Sequence, residues 1–217
     1  MINRIIKEIE NMSGNYSGYE IFSDWIKATA ISISNITDLE HGEVWKKREA
    51  QYMEIANKHG AKCMKKFADM IGMLSIALEE DLEDVLGKIY MQAGLGSKQT
   101  GQFFTPFHVS YLTAQITISE DVGEENPLII NEPSSGGGGM IIAAAKVLKD
   151  RGLNFQKCID VTAQDLDWKG VYMTYVQLSL LGIKAVVVQG DTLTEPYGRQ
   201  YEKGRVLYSP AKKGLLI

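Results

Sequence analysis

The sequence predicts an α/β fold in which a parallel sheet follows a wholly helical region. Beyond residue 126, short apolar runs alternate with helical segments. Pro127 to Ile130, Met140 to Lys149, Cys158 to Gln164, Trp168 to Leu181 and Ile183 to Val188 give the order β-α-β-α-β. Up to about residue 94 the chain lacks that punctuation and shows only apolar stripes at helical spacing.

Ile2, Ile5, Ile6 and Ile9 share one helical face, and Asn11 to Gly18 breaks it. Tyr19 to Ser34, Glu43 to Asn57, Lys62 to Glu79 and Leu82 to Met91 each carry a similar stripe, the signature of helix-helix core. Residues 1–94 thus read as a helical domain or arm and 95–217 as a second domain. Glu79, Glu80, Asp81 and Glu83 read as a solvated helix start, where acids suit the dipole. Gly94 to Gly101 is a loop by composition. A helix over Phe107 to Ile118 then takes Pro106 in its first turn, with Thr105 placed to cap it or to meet a ligand at the helix start.

Composition narrows the class. At 45% hydrophobic and 23% charged, the 217 residues are those of a soluble globular protein. The first ten residues mix charge into their apolar positions, and no run of about eighteen apolar residues occurs, so a cytoplasmic protein without a membrane segment is expected. Cys63 and Cys158 lack metal or redox spacing and read as buried thiols, and no metal site is expected. A net charge of −4 opposes an unaided grip on a nucleic-acid backbone, although Lys58, Lys62, Lys65 and Lys66 form a local basic cluster.

The stretch Glu132-Pro133-Ser134-Ser135-Gly136-Gly137-Gly138-Gly139 joins the first strand to its helix. Glycines there let the backbone turn sharply and approach a ligand, and the free N–H groups of the helix start favour an electron-rich partner. Asp165 ends the second strand, where a carboxylate accepts from both hydroxyls of a ribose. Asp191 ends the third and suits an exocyclic amine. NAD and S-adenosylmethionine sites share this logic; the leading Glu-Pro argues against NAD.

These residues resemble the adenine-N6 DNA methyltransferases, in particular the modification subunit of type I restriction systems and its short phage-borne or mobile-element relatives. Gly101-Gln102-Phe103-Phe104-Thr105-Pro106 is similar to the family's G-x-F-[FY]-T-P, Glu132 to Gly139 to its [DE]-P-A-C-G-S-G-G, Ala163 to Asp167 to its G-x-[DE]-x-D, and Gly190-Asp191 to its G-[DN]. The resemblance runs from Asp84 to Asp191. It implies a truncated Rossmann-like sheet of the class I methyltransferase type that binds S-adenosylmethionine. Thr105 would meet the methionine carboxylate and Glu132 its amino group. Pro133, Ser134, Gly136 and Gly138 would form the backbone cradle, with Asp165 on the ribose, Leu166 on the adenine face and Asp191 on the adenine amine.

The family's target-base loop, N-P-P-[FY], is absent from the sequence. After an expected strand at Arg205 to Leu207 stands Ser209-Pro210-Ala211-Lys212, whose Ser209 and Pro210 would be the degenerate catalytic equivalent. A lysine cannot replace a stacking ring worth ~1 to 3 kcal/mol. The resemblance therefore implies a methylase relative that does not methylate by itself and meets DNA through a partner subunit. The alternative is a non-enzymatic interaction or regulatory subunit of a restriction-modification or mobile-element system. A shortened sheet also exposes an edge, to be covered by the helical half, by a homodimer or by restriction-modification subunits. His41, His59 and His108 show no ligand spacing, and Tyr201, Tyr208, Phe107 and Trp168 read as packing residues.

Overall fold

The computed structural model describes residues 1–95, 104–198 and 202–215. Gly101 to Phe103 and Tyr201 lie outside the described residues. The first region is helical throughout: α1 (Ile2–Met12), α2 (Gly18–Ile36), α3 (Glu43–Glu80) and α4 (Val85–Gln92). After α5 (Phe107–Thr117) come β1 (Leu128–Glu132), α6 (Gly139–Asp150), a single turn α7 (Phe155–Cys158), β2 (Ile159–Asp165), α8 (Trp168–Leu180), β3 (Lys184–Gln189) and β4 (Val206–Tyr208).

Local chemistry sets most boundaries. Ser17 and Glu20 form a reciprocal capping box at the start of α2. Asp84 caps α4 and Asp167 caps α8. The two apolar stripes expected between residues 43 and 79 meet at Gly60, whose φ of 74° and ψ of 165° kink α3. Three local expectations change. Pro106 is the residue before α5 rather than part of its first turn, and no side chain caps that helix, so Thr105 is not a cap. The acids Glu79 to Asp81 close α3 instead of opening a helix; Asp81 pairs with Lys146 and Glu83 with Lys88. Cys63 is half-buried, while Cys158 is buried; both thiols are free, and burial raises both above the ordinary thiol range.

The sheet order is β1-β2-β3-β4, with the first three strands parallel and β4 antiparallel to β3. Alternate residues divide it into two unlike faces. Ile159, Val161, Ala163, Ala185, Val187 and Leu207 join one apolar cluster with α6 and α8. The opposite face carries Asp160, Thr162 and Gln164, with a small separate cluster of Val186, Val188 and Val206. Parallel sheets usually bury both faces; here the outer face is polar along β2, buried and apolar along β3 and β4, and open at the edge strand, where Ile129 is 72% exposed.

The helical half packs against α8 and extends the same apolar cluster through Trp25, Phe22, Leu74, Leu86 and Tyr90. It therefore forms a layer over the helices and does not cover the β1 edge, while Tyr197 packs over Val186, Val188 and Val206 on the outer face. It also reaches β4, where an Arg48 Nη2 donates to the Val206 carbonyl at 3.3 Å and Lys213 Nζ donates to the Thr37 carbonyl at 2.9 Å. Among the described residues no helix is long and apolar enough to cross a membrane.

The Gly60 backbone occupies a region that side chains disfavour strongly. Gly60→Ala is expected to lower unfolding free energy by about 1–3 kcal/mol, measured by urea titration, with the rest of the fold unchanged by circular dichroism.

Candidate functional site

The carboxyl ends of β1, β2 and β3 converge on one set of loops, and hydrogen bonds lock them together. The Ser135 N–H donates to the Gln164 carbonyl at 3.0 Å, and the Gly190 N–H to the Asp165 carbonyl at 2.9 Å. The Thr192 hydroxyl donates to the Pro133 carbonyl at 2.7 Å. Between the loops lies a cavity of about 350 Å³ lined by Pro133, Ser134, Asp165, Leu166, Gly190, Asp191, Thr192 and Leu193. Five of the residues singled out in the sequence, Pro133, Ser134, Asp165, Leu166 and Asp191, thus surround one space.

The glycine turn continues directly from the Pro133–Ser134 side of this cavity. Gly136 and Gly138 take φ of 53° and 88°, the left-handed region that glycine adopts without strain. A Cβ at Gly136 would also sit 2.9 Å from Phe104. The turn is held from several sides. Asp165 Oδ2 accepts from the Gly136 N–H at 2.8 Å while its Oδ1 accepts from the Asp167 N–H at 2.9 Å. Each oxygen keeps a second lone pair for a ligand hydroxyl. Thr174 donates to the Gly136 carbonyl at 3.0 Å, and Gln177 to the Gly137 carbonyl at 2.6 Å. Gln177 also donates to Asp84 Oδ1 at 2.8 Å, and that same oxygen caps α4 through the Gly87 N–H.

Asp84, Thr174 and Gln177 escaped the sequence reading. Their signal was present: Gly170, Thr174 and Gln177 recur at helical spacing on an otherwise apolar α8, forming a small and polar stripe aimed at the turn. Asp84 is fully enclosed, and burial pushes its carboxyl above the usual carboxylate range against the opposing hydrogen bonds from Gln177 and Gly87.

The remaining expected residues are more scattered. Glu132 folds back to accept from the Ser134 N–H at 3.1 Å. Asp191 accepts from the Leu193 N–H at 2.9 Å and lines the cavity. Thr105 lines a different cavity of about 570 Å³, with Asp84, Phe104, His108, Tyr111 and Lys146, that reaches the glycine turn through Asp84 and Phe104. Ser209 and Pro210 are not brought to the site. Because β4 runs antiparallel to β3, its end lies beside the start of β3, at the other end of the sheet. There the Ser209 hydroxyl donates to the Ile183 carbonyl at 2.8 Å and accepts from the Ala185 N–H at 2.9 Å, a structural use of its polar group. Lys212 is bound to Asp160. Of the four clustered lysines, Lys58 and Lys66 are neutralised by Asp24 and Glu8 at 2.8 Å.

Residues 81–208, more than half of the chain, match the model of the family described as N-6 DNA Methylase. The chain belongs to that family. The matched stretch begins at the acidic link before α4, includes both cavities and ends in β4. Among solved structures, the methyltransferase subunit of the type I restriction-modification system from Streptococcus thermophilus aligns with 92% of this chain and 61% of its own, at 13% identity and a TM-score of 0.47. The chain therefore spans less than two thirds of that subunit's length.

A Cβ at Gly137 would lie 2.6 Å from both carboxylate oxygens of Asp84. Gly137→Ala is expected to cost about 1–3 kcal/mol of stability by overpacking, and much less in an Asp84→Ala background, as a double-mutant cycle in urea would register. The raised Asp84 value means that the folded state binds this proton more tightly than the unfolded chain. Wild type should therefore gain stability relative to Asp84→Asn as pH falls through the raised value, with the gain complete below the ordinary value of 3.8. Paired denaturation curves across that range test the sign.

Proposed function

We propose that this methylase chain binds S-adenosylmethionine at the carboxyl ends of β1, β2 and β3 and serves a restriction-modification type system as an adenine-N6 methyltransferase-like subunit without autonomous catalysis. The observation that carries the reading is the cavity that gathers Pro133, Ser134, Asp165, Leu166 and Asp191, with the left-handed glycine turn continuing from its Pro133–Ser134 side. Asp165, fixed by two backbone N–H groups, would accept from the ribose hydroxyls. Leu166, 68% exposed, offers an apolar surface to the adenine, and Asp191 an acceptor for its amine. Gly136 and Gly138 would admit the methionine portion toward Thr105 and Glu132. When bound, S-adenosylmethionine supplies an activated methyl group.

The absence of N-P-P-[FY] and the engagement of Ser209 with β3 support the view that target-base handling comes from elsewhere. In this reading DNA is met in the cytoplasm through a partner subunit, with a second copy of the chain as another candidate cover for the sheet edge. The same two observations also favour the second reading, a non-enzymatic interaction or regulatory subunit that retains the cofactor as a structural ligand.

Calorimetry with S-adenosylmethionine and S-adenosylhomocysteine should give saturable binding that Asp165→Ala weakens at least tenfold, about 1.4 kcal/mol. Absence of binding by both ligands, or indifference to Asp165, overturns the site assignment. Transfer of labelled methyl groups to mixed-sequence DNA should be negligible with the isolated chain; robust transfer overturns the non-autonomous reading.

A further inference from the structure

A third cavity, of about 540 Å³, lies between the helical layer and the sheet and has a different chemistry. Its walls come from α2, α3, α8 and the chain entering β4. Lys27, Lys47 and Arg48 line it against one carboxylate, Glu202. In a chain whose net charge is −4, this concentrates positive charge in one concave place. Among the described residues Lys27 and Lys47 have no carboxylate partner. The Arg48 guanidinium is largely buried, and its carboxylate neighbour Asp38 stands at 3.9 Å, beyond hydrogen-bond distance. Burial pulls the guanidinium below its ordinary value, despite Asp38 and two tyrosines. Its Nη2 donates to the Val206 carbonyl, and the remaining guanidinium N–H groups are donors that an incoming anion can use.

The same wall carries Trp168 and Tyr172, one turn apart on α8, stacked with ring centroids 5.1 Å apart and planes inclined by 27°. Ala30, Ile31, Val44 and Leu207 supply apolar floor. A bare anion would use only the cations and an apolar ligand only the floor and rings. A flat heterocycle joined to a phosphate uses both, since bases stack on aromatic faces while Lys and Arg neutralise phosphate. The volume falls within the ~300–1,000 Å³ of small-ligand sites.

We propose that this cavity binds a phosphorylated nucleoside, supplied as a free nucleotide or as one unit of a nucleic-acid strand, separately from the cavity at Asp165. Trp168 and Tyr172 provide the stacking surface, Arg48 the buried phosphate contact, and Lys27 and Lys47 the outer charge.

The test uses the full chain at low salt, with AMP and pyrophosphate followed by calorimetry and a labelled single-stranded oligonucleotide by anisotropy. AMP or the oligonucleotide should bind, and the Lys27→Glu/Lys47→Glu double variant should weaken that binding at least tenfold while leaving the S-adenosylmethionine titration unchanged. Trp168→Leu should weaken the nucleotide more than pyrophosphate. Binding of AMP assigns the free nucleotide, and binding of the oligonucleotide alone assigns the strand. The proposal is overturned if neither binds, if charge reversal has no effect, or if pyrophosphate binds as tightly as AMP. Circular dichroism establishes that the variants are folded.

Discussion

One buried contact organises the ligand-binding end of this molecule: the Gln177 side-chain amide, which bridges the Asp84 carboxylate and the Gly137 carbonyl. It ties the first turn of α4 to the glycine turn through the last turn of α8. A carboxylate in so enclosed a place is costly unless hydrogen bonds satisfy it, and here the Gly87 N–H and the Gln177 amide do so. The absence of side chains at Gly87 and Gly137 follows directly, because a Cβ at either would collide with Asp84. The helical layer is thereby part of the apparatus that shapes the turn.

Under the proposed function, the fold separates two halves of a methyltransferase's task. The elements suited to a cofactor are gathered at the carboxyl ends of three parallel strands and are cross-linked by backbone hydrogen bonds. The segment read as a target-base loop is carried to the opposite end by the antiparallel pairing of β4. Its serine completes the hydrogen bonding at the start of β3. The direction of one three-residue strand thus decides which residues can meet.

The parallel core was legible because its signals are local. Glycine punctuation, apolar strand runs and helical periodicity each lie within a few residues, and the break between Asn57 and Lys62 already marked the kink at Gly60. The cluster of Asp165, Leu166 and Asp191 followed from strand order, since parallel strands place their carboxyl ends together. What escaped depends on distant partners. Val206 to Tyr208 is too short to carry a period, and nothing in it specifies direction. Asp84 has a capping role that sequence can suggest, but its contacts with Gln177 and Gly137 exist only after α4 and α8 have docked. Thr105 resembled a cap until the helix began one residue later than its side chain could serve.

The bonds from Arg48 to Val206 and from Lys213 to Thr37 connect segments 158 and 176 residues apart. Loop-closure entropy grows only with the logarithm of length, so closing such a span costs about 1 kcal/mol more than closing one of forty residues. These clasps therefore need little enthalpy to persist in an otherwise folded molecule, yet offer nothing to a chain still searching for its core. They hold α3 and the end of α2 to the antiparallel strand and the turn after it, beside the wall that Arg48 gives to the basic, aromatic cavity.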